Sequence, residues 1–384
     1  VYSGSAFVED DTMYLYYTGN TMEDGDFDFT YEGRGSNTTL VTSKDGITAS
    51  AKKCLLTSAD YPHTLSCHVR DPKVFKENGK YYMVLGARTR NDVGCVLLYE
   101  AEDKEHFRFK QYITSEKPFG YMWECPDLFR IDGNLFLSIS PQGIAAEEYQ
   151  YQNVYQSGYY RILGDLEDYT LSPFIEWDMG FDFYAPQSFI DESGRRILIG
   201  WMGIGDIEYE NPTVAEGWQH TLTVPRELTL DASGDICQNP VKELTALRKE
   251  EIIVPSDFFL TEGAFEMQAD ITENEDFSII IDKGMQILYD AGTSVLSLSF
   301  LPDRECNPED AKGCGRCIRR AKIRENKVSS LQILVDHSTI EIFVNNGHYV
   351  FSSRYYKTGH AHTVEFSGDM NITAYTLSGF DCRT

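Results

Sequence analysis

Two acidic residues stand out for the company they keep. Asp71 lies in Arg70-Asp71-Pro72, beside a cation that would hold a carboxylate ionised, and Glu124 lies in Tyr121-Met122-Trp123-Glu124-Cys125-Pro126-Asp127, among aromatic rings and sulfur. Burial against such neighbours raises a carboxylic acid's pKa, which suits a proton donor to a leaving oxygen at neutral pH. A carboxyl pair in contrasting settings divides acid and anion roles in glycoside hydrolysis. The same two residues would serve equally as strand-end caps or members of buried ion pairs, and residue type alone leaves both readings open.

The elements that must position this pair form a repeat. Four clusters, Ser3-Gly4-Ser5-Ala6-Phe7, Arg70-Asp71-Pro72-Lys73-Val74-Phe75, Glu124-Cys125-Pro126-Asp127-Leu128-Phe129 and Tyr184-Ala185-Pro186-Gln187-Ser188-Phe189, each run into a turn and a second apolar strand. Three carry Pro three residues before Phe, with Gly4 in that place in the first, and the Phe spacings are 68, 54 and 60 residues. Such periods with several short strands per unit are propeller-like, and equivalent positions of the opening strands ring one axis. The clusters at Ser3, Asp71, Glu124 and Gln187 are therefore expected to converge, with Trp123, Tyr184 and Trp201 offering aromatic faces of the kind a sugar ring needs.

The chain has 34 basic and 60 acidic residues and a net charge of -26. That field repels nucleic acid and anionic membranes, so neither is an expected partner. No stretch approaches the roughly 18 uninterrupted apolar residues of a helical membrane span. Nine cysteines, several inside strand-like runs, read as buried thiols in a reducing compartment and point to a cytoplasmic location. Cys306, Cys314 and Cys317 lie together without a fourth ligand at suitable spacing, so a polar hairpin loop is preferred there to a metal site.

The repeats run to about residue 237. Asn239 and Pro240 read as N-cap and first residue of a short helix whose Val241, Leu244 and Leu247 pack against a neighbouring domain. Beyond it, alternating short strands predict a supporting antiparallel sandwich. The expected organisation is all-β: a propeller domain over 1–237, a linker helix over 238–251 and a β-sandwich over 252–384.

The ordered motifs Ser3-Gly4-Ser5, Arg70-Asp71-Pro72, Trp123-Glu124-Cys125-Pro126, Tyr184-Ala185-Pro186-Gln187 and Gly200-Trp201-Met202 resemble those of glycoside hydrolase family 32, the β-fructofuranosidases. Gly217-Trp218, Thr223-Val224-Pro225-Arg226-Glu227-Leu228, Val335-Asp336-His337-Ser338 and Ile340-Glu341-Ile342-Phe343-Val344-Asn345-Asn346-Gly347 extend the likeness over nearly the whole chain. The resemblance implies a five-bladed propeller followed by a sandwich, and retaining hydrolysis of terminal β-D-fructofuranosyl residues without cofactor or metal. It implies Glu124 as general acid/base, Asp71 as transition-state stabiliser, Arg70 as orienting residue, and Ser5, Trp123, Tyr184 and Gln187 as shapers of the sugar pocket. His68, Lys73, Arg88 and Arg90 are the candidates for a phosphate-binding edge.

One part of the pattern is missing. The family's nucleophile is an Asp in a Trp-Met-Asn-Asp-Pro-Asn-Gly motif that these 384 residues do not contain, and Asp10 and Asp11 sit in a turn. Four repeats stand where five are implied, so the expectation is an N-terminally truncated chain whose first blade is largely missing. The alternative of a different class is an inactive sugar-binding or structural propeller protein.

Overall fold

The computed structural model describes residues 1–207, 209–255, 257–300, 315–357 and 359–379. The chain divides into two compact units, Val1–Ile144 with Tyr155–Ile175, and Ala145–Val154 with Glu176–Thr384.

The first unit holds three antiparallel sheets. β1 (Tyr2–Glu9), β2 (Thr12–Met22), β3 (Arg34–Ser43) and β4 (Lys53–Leu56) follow one another in the first. β5 (Leu65–Glu77), β6 (Lys80–Thr89), β7 (Gly94–Ala101) and β8 (Arg108–Ile113) do so in the second. β9 (Met122–Ile131), β10 (Asn134–Gln142), β11 (Gly158–Gly164) and β12 (Tyr169–Leu171) do so in the third. The opening hairpins are made by Asp10-Asp11, Asn78-Gly79 and Asp132-Gly133, all six residues having φ between 48° and 81°. Positive φ at both central positions matches the twist of the flanking strands, and short polar residues and glycine tolerate it. The repeated Phe is explained by what it faces across the hairpin: Phe7 opposite Tyr14, Phe75 stacked on Tyr82 and Phe129 on Phe136. Such cross-strand aromatic pairs hold the register. Tyr16, Leu40, Val74, Met83, Leu85 and Leu97 are among the buried side chains joining the first two sheets.

Bulges interrupt β5, β9 and the Tyr184–Ile190 strand. Arg70 pairs with Gly86 and Lys73 with Val84, so Asp71 and Pro72 face Leu85 alone. Glu124 pairs with Ser140 and Asp127 with Ser138, so Cys125 and Pro126 face Ile139 alone. In the second unit Tyr184 pairs with Trp201 and Gln187 with Ile199, leaving Ala185 and Pro186 against Gly200. The first residue of each bulge has positive φ, 61° at Asp71, 49° at Cys125 and 49° at Ala185. Proline fits the second place because a bulge leaves one N–H out of the ladder.

The second unit contains a sheet built from Tyr184–Ile190, Arg196–Met202, Arg226–Leu230 and Ile236–Pro240, and two six-stranded sheets. The inner faces of the six-stranded pair are the alternate residues of each strand, Phe265, Met267, Ile333 and Ile342 from one, Ile279, Ile287, Leu298 and Val364 from the other. Arg226, wholly buried, donates to Gln238, Asp178, Glu341 and Ser352 at 2.6–3.0 Å.

The expected linker helix begins later than the sequence predicts. Asn239 and Pro240 pair with Glu227 and Arg226 as the end of a strand, and Val241 N–H donates to Pro225 O. That pairing holds the backbone extended, so the helical turn is a 3-10 segment, Lys242–Leu247, capped at Val241. Leu244 packs with Val224 and Leu377 against Leu334, Phe343 and Val350. Of the cysteine cluster, Cys306 and Cys314 lie outside the described residues.

Candidate active site

The bulges of β5 and β9 lie side by side, and their side chains interlock. Asp71 Oδ2 accepts the Cys125 N–H at 2.9 Å and lies 3.6 Å from the Cys125 thiol. The Asp71 N–H, freed from the ladder by the bulge, donates to Thr18 Oγ1 at 2.9 Å, and Thr18 donates in turn to Ser3 O. Ser5 Oγ donates to Pro72 O at 2.8 Å and accepts the Val74 N–H at 3.4 Å. Three sheets thus fix one carboxyl group and the strand that carries it.

Glu124 sits one residue before its bulge, so it is equivalent to Arg70, while Asp71 is equivalent to Cys125. Arg70 Nη1 is 3.1 Å from Glu124 Oε1, and Gln142 Nε2 donates to Glu124 Oε2 at 2.9 Å. Placement thus reverses one expectation. The guanidinium next to Asp71 in sequence pairs with Glu124, because the bulge turns Asp71 away from Arg70 and into the interior. Asp71 is 6% exposed, and its carboxyl is pushed up to about 6, first by burial and then by the negative charge of Glu124, with Arg70 and the Cys125 N–H partly offsetting them. Burial and the adjoining carboxylates also hold the Cys125 thiol well above its usual range, so it is a neutral donor toward Asp71.

The other predicted site residues divide. Ser5 is half-buried and spends its hydroxyl on β5. Trp123 is corrected: it is 0% exposed, its Nε1 donates to Phe119 O at 2.6 Å and its ring lies 5.8 Å from Tyr160. A buried indole presents no face to a sugar; its work is to seat β9 on the second sheet, and Gly86 and Gly94 leave the room for it, since a Cβ on either would stand 2.2–2.3 Å from Trp123 atoms. Tyr184 and Gln187 belong to the second unit, Tyr184 at 5% exposure in edge contact with Trp201 and Gln187 half-buried. Trp201 in turn meets His220 edge-on at 4.8 Å.

Of the phosphate-edge candidates, Lys73 is paired with buried Asp127 at 3.5 Å, and the exposed Arg90 bonds Thr64 O through its backbone. His68 and Arg88 come together with Arg34, Arg70 and Tyr2 beside Glu124. Arg34, Thr18 and Gln142 escaped the sequence reading because they stand outside the repeated cluster. Gln142 closes the strand that pairs with β9, and Thr18 lies within β2 opposite Tyr2 at the start of β1.

The comparisons with known proteins show the family. The family model described as the glycosyl hydrolases family 32 N-terminal domain matches residues 1–240, and that of the family's C-terminal domain matches 235–378. A sucrose-6-phosphate hydrolase of Bacillus subtilis (strain 168) is 36% identical over 98% of this chain and 79% of its own length. Among solved structures, a sucrose-6-phosphate hydrolase from Lactobacillus gasseri superposes with a TM-score of 0.84 at 25% identity, covering 98% of this chain and 78% of that one. A β-fructofuranosidase of Bombyx mori does so at 0.83 and 28%, covering 98% and 79%. The first three sheets and the Tyr184–Pro240 sheet are accordingly blades of a β-propeller, the six-stranded pair is the β-sandwich, and the chain belongs to glycosyl hydrolase family 32.

Proposed function

We propose that this chain hydrolyses terminal β-D-fructofuranosyl residues of sucrose or sucrose 6-phosphate with retention of configuration. The observation that carries the reading is the carboxyl pair Asp71 and Glu124, drawn to one place by two adjacent bulges and bridged by Arg70. The relatives are hydrolases and a fructofuranosidase, another is a raffinose invertase of Escherichia coli, and a point mutant of the Bombyx mori enzyme is solved in complex with sucrose. They favour an enzyme over the inactive sugar-binding alternative.

In this mechanism Glu124 gives its proton to the glycosidic oxygen as the anomeric C–O bond breaks and the nucleophilic carboxylate of the family's motif bonds to that carbon; water then displaces that carboxylate and gives its proton back to Glu124. Arg70 and Gln142 fix the direction in which that carboxyl points. Asp71, ionised at neutral pH although burial and Glu124 oppose its charge, gains most when positive charge develops on the fructosyl ring. That gain appears in the transition state and not before it, which is the condition for lowering the barrier. That attacking carboxylate is not among these 384 residues, whose own contribution is the proton transfer and the charge stabilisation.

The test is release of fructose from sucrose, sucrose 6-phosphate and inulin by protein of verified mass, compared with Glu124→Gln. Loss of the proton donor lowers kcat by roughly 10²–10⁴-fold. Near-normal turnover by the variant excludes Glu124 from proton transfer.

A further inference from the structure

A half-buried cationic cluster adjoins the carboxyl pair and, apart from Arg70, is left unused by the chemistry just described. The His68 imidazole on β5 is contacted by Arg34 of β3 and Arg70 of β5, and Arg88 of β6 is near enough to disfavour its charge. Arg70 contacts His68 Nδ1 through one nitrogen and Glu124 through the other, while Arg34 Nη1 lies 3.3 Å from His68 Nε2.

The charges do not balance among themselves. Arg70 has Glu124, and Arg88 has Asp92 at 2.8 Å, with the rings of Tyr121 and Tyr31 at 4.6 and 5.8 Å. Arg34 reaches only His68, the Tyr2 hydroxyl at 3.3 Å and the Tyr2 ring, with no carboxylate in ion-pairing range among the described residues. Its Nε is buried with no hydrogen-bond partner. A half-buried guanidinium without a counter-ion is costly anywhere, and it is conspicuous in a chain of net charge -26.

His68 has the complementary defect. A neutral imidazole has one acceptor nitrogen, yet both of its nitrogens face guanidinium donors, so in either tautomer one contact sets donor against donor. Burial first, then Arg70, Arg34 and Arg88, with Asp28 acting weakly the other way, hold its pKa down to about 3. An oxyanion accepting from Arg34, Arg88 and the imidazole N–H would supply the missing acceptor and the missing charge together. Tetrahedral phosphate, with three oxygens to offer a guanidinium fork, is the group of that description.

The geometry points to Arg34, His68 and Arg88 as the recognition site for the phosphate monoester of a phosphorylated fructoside, joined to Glu124 through Arg70. This rests on the proposed hydrolysis and adds which residues select the phosphorylated substrate. Arg70, shared between the two sets, belongs to the catalytic side.

The measurement is the ratio of kcat/KM for sucrose 6-phosphate to that for sucrose, in the wild type, Arg34→Gln, Arg34→Lys and Arg88→Gln. Losing one charge-assisted contact lowers the ratio roughly ten- to a hundredfold in Arg34→Gln, and the lysine variant retains part of it. Arg88→Gln, which alters a more exposed pair, gives the same direction if Arg34→Gln does not fold. Inorganic phosphate competes with sucrose 6-phosphate in the wild type and not in Arg34→Gln. An unchanged ratio in Arg34→Gln and Arg88→Gln overturns the assignment, and so does Arg34-dependent binding of inorganic phosphate without any change in the ratio, since the anion site is then unconnected with substrate. Should the wild type turn over neither sugar, the hydrolytic reading fails by itself. Calorimetric binding of sucrose 6-phosphate against sucrose, with and without Arg34, then decides the phosphate site separately.

Discussion

Replacing Asp71 with asparagine should make the protein more stable at neutral pH while removing its activity. Asp71 is buried, and its pKa is raised from an ordinary 3.8 to about 6. An acid raised on folding binds its proton more tightly folded than unfolded. The destabilisation it brings is therefore absent below about pH 4, grows as pH rises toward 6 and is complete above that. At ~1.4 kcal/mol for each tenfold change in proton affinity, the rise to about 6 amounts to about 3 kcal/mol at pH 7.5. An asparagine oxygen still accepts the Cys125 N–H and brings no charge, so Asp71→Asn should recover most of this. Urea unfolding of wild type and variant across pH 4 to 8 checks it: the curves meet near pH 4 and separate in the variant's favour as pH rises. A variant no more stable than wild type at pH 7.5, or a difference independent of pH, would refute the reasoning.

Two further outcomes follow from packing and buried charge. Arg226→Met strands Asp178 and Glu341, two buried carboxyls whose pKa values burial already raises, and should cost about 3–5 kcal/mol at pH 7.5. Because the stranded acids can be relieved by protonation, the loss measured by denaturant unfolding should shrink at pH 5. Gly86→Ala drives a Cβ to 2.2 Å from Trp123 O, next to Glu124, and should cost about 1–3 kcal/mol with a larger relative fall in kcat than in Tm. Equal stability and full activity would show that β9 yields freely there.

The hairpins were legible in the sequence because their code is local: Asn78-Gly79 and Asp132-Gly133 announce turns, and Phe facing an aromatic residue seven positions on announces register. The convergence of Asp71 and Glu124 was legible because a repeat carries equivalent strands to one place, although the two residues stand at adjacent and not equivalent positions. What the repeat could not reveal was direction. Two residues set against one at the bulge send Asp71 inward and leave Arg70 to Glu124, so adjacency in sequence named the wrong ion pair. Trp123 misled for a similar reason, since aromatic character alone does not distinguish a sugar platform from a wedge between sheets. Arg34 was invisible, because its meaning comes only from the strand of a neighbouring sheet that brings His68 against it.

The bulged strands also bear on how the site comes into being. Each hairpin can form from residues a few positions apart, whereas the bonds that fix Asp71 and its strand span 53, 54 and 67 residues. Long closures are entropically expensive and form late, after local pairing has removed most of the chain's freedom. Sheet content and the arrangement of the proposed site are thus acquired separately, and during refolding a chain with its strands in place would still lack the bonds that fix Asp71. Damage to any one sheet of the three would leave the other two hairpin sets intact and be felt first where all three meet.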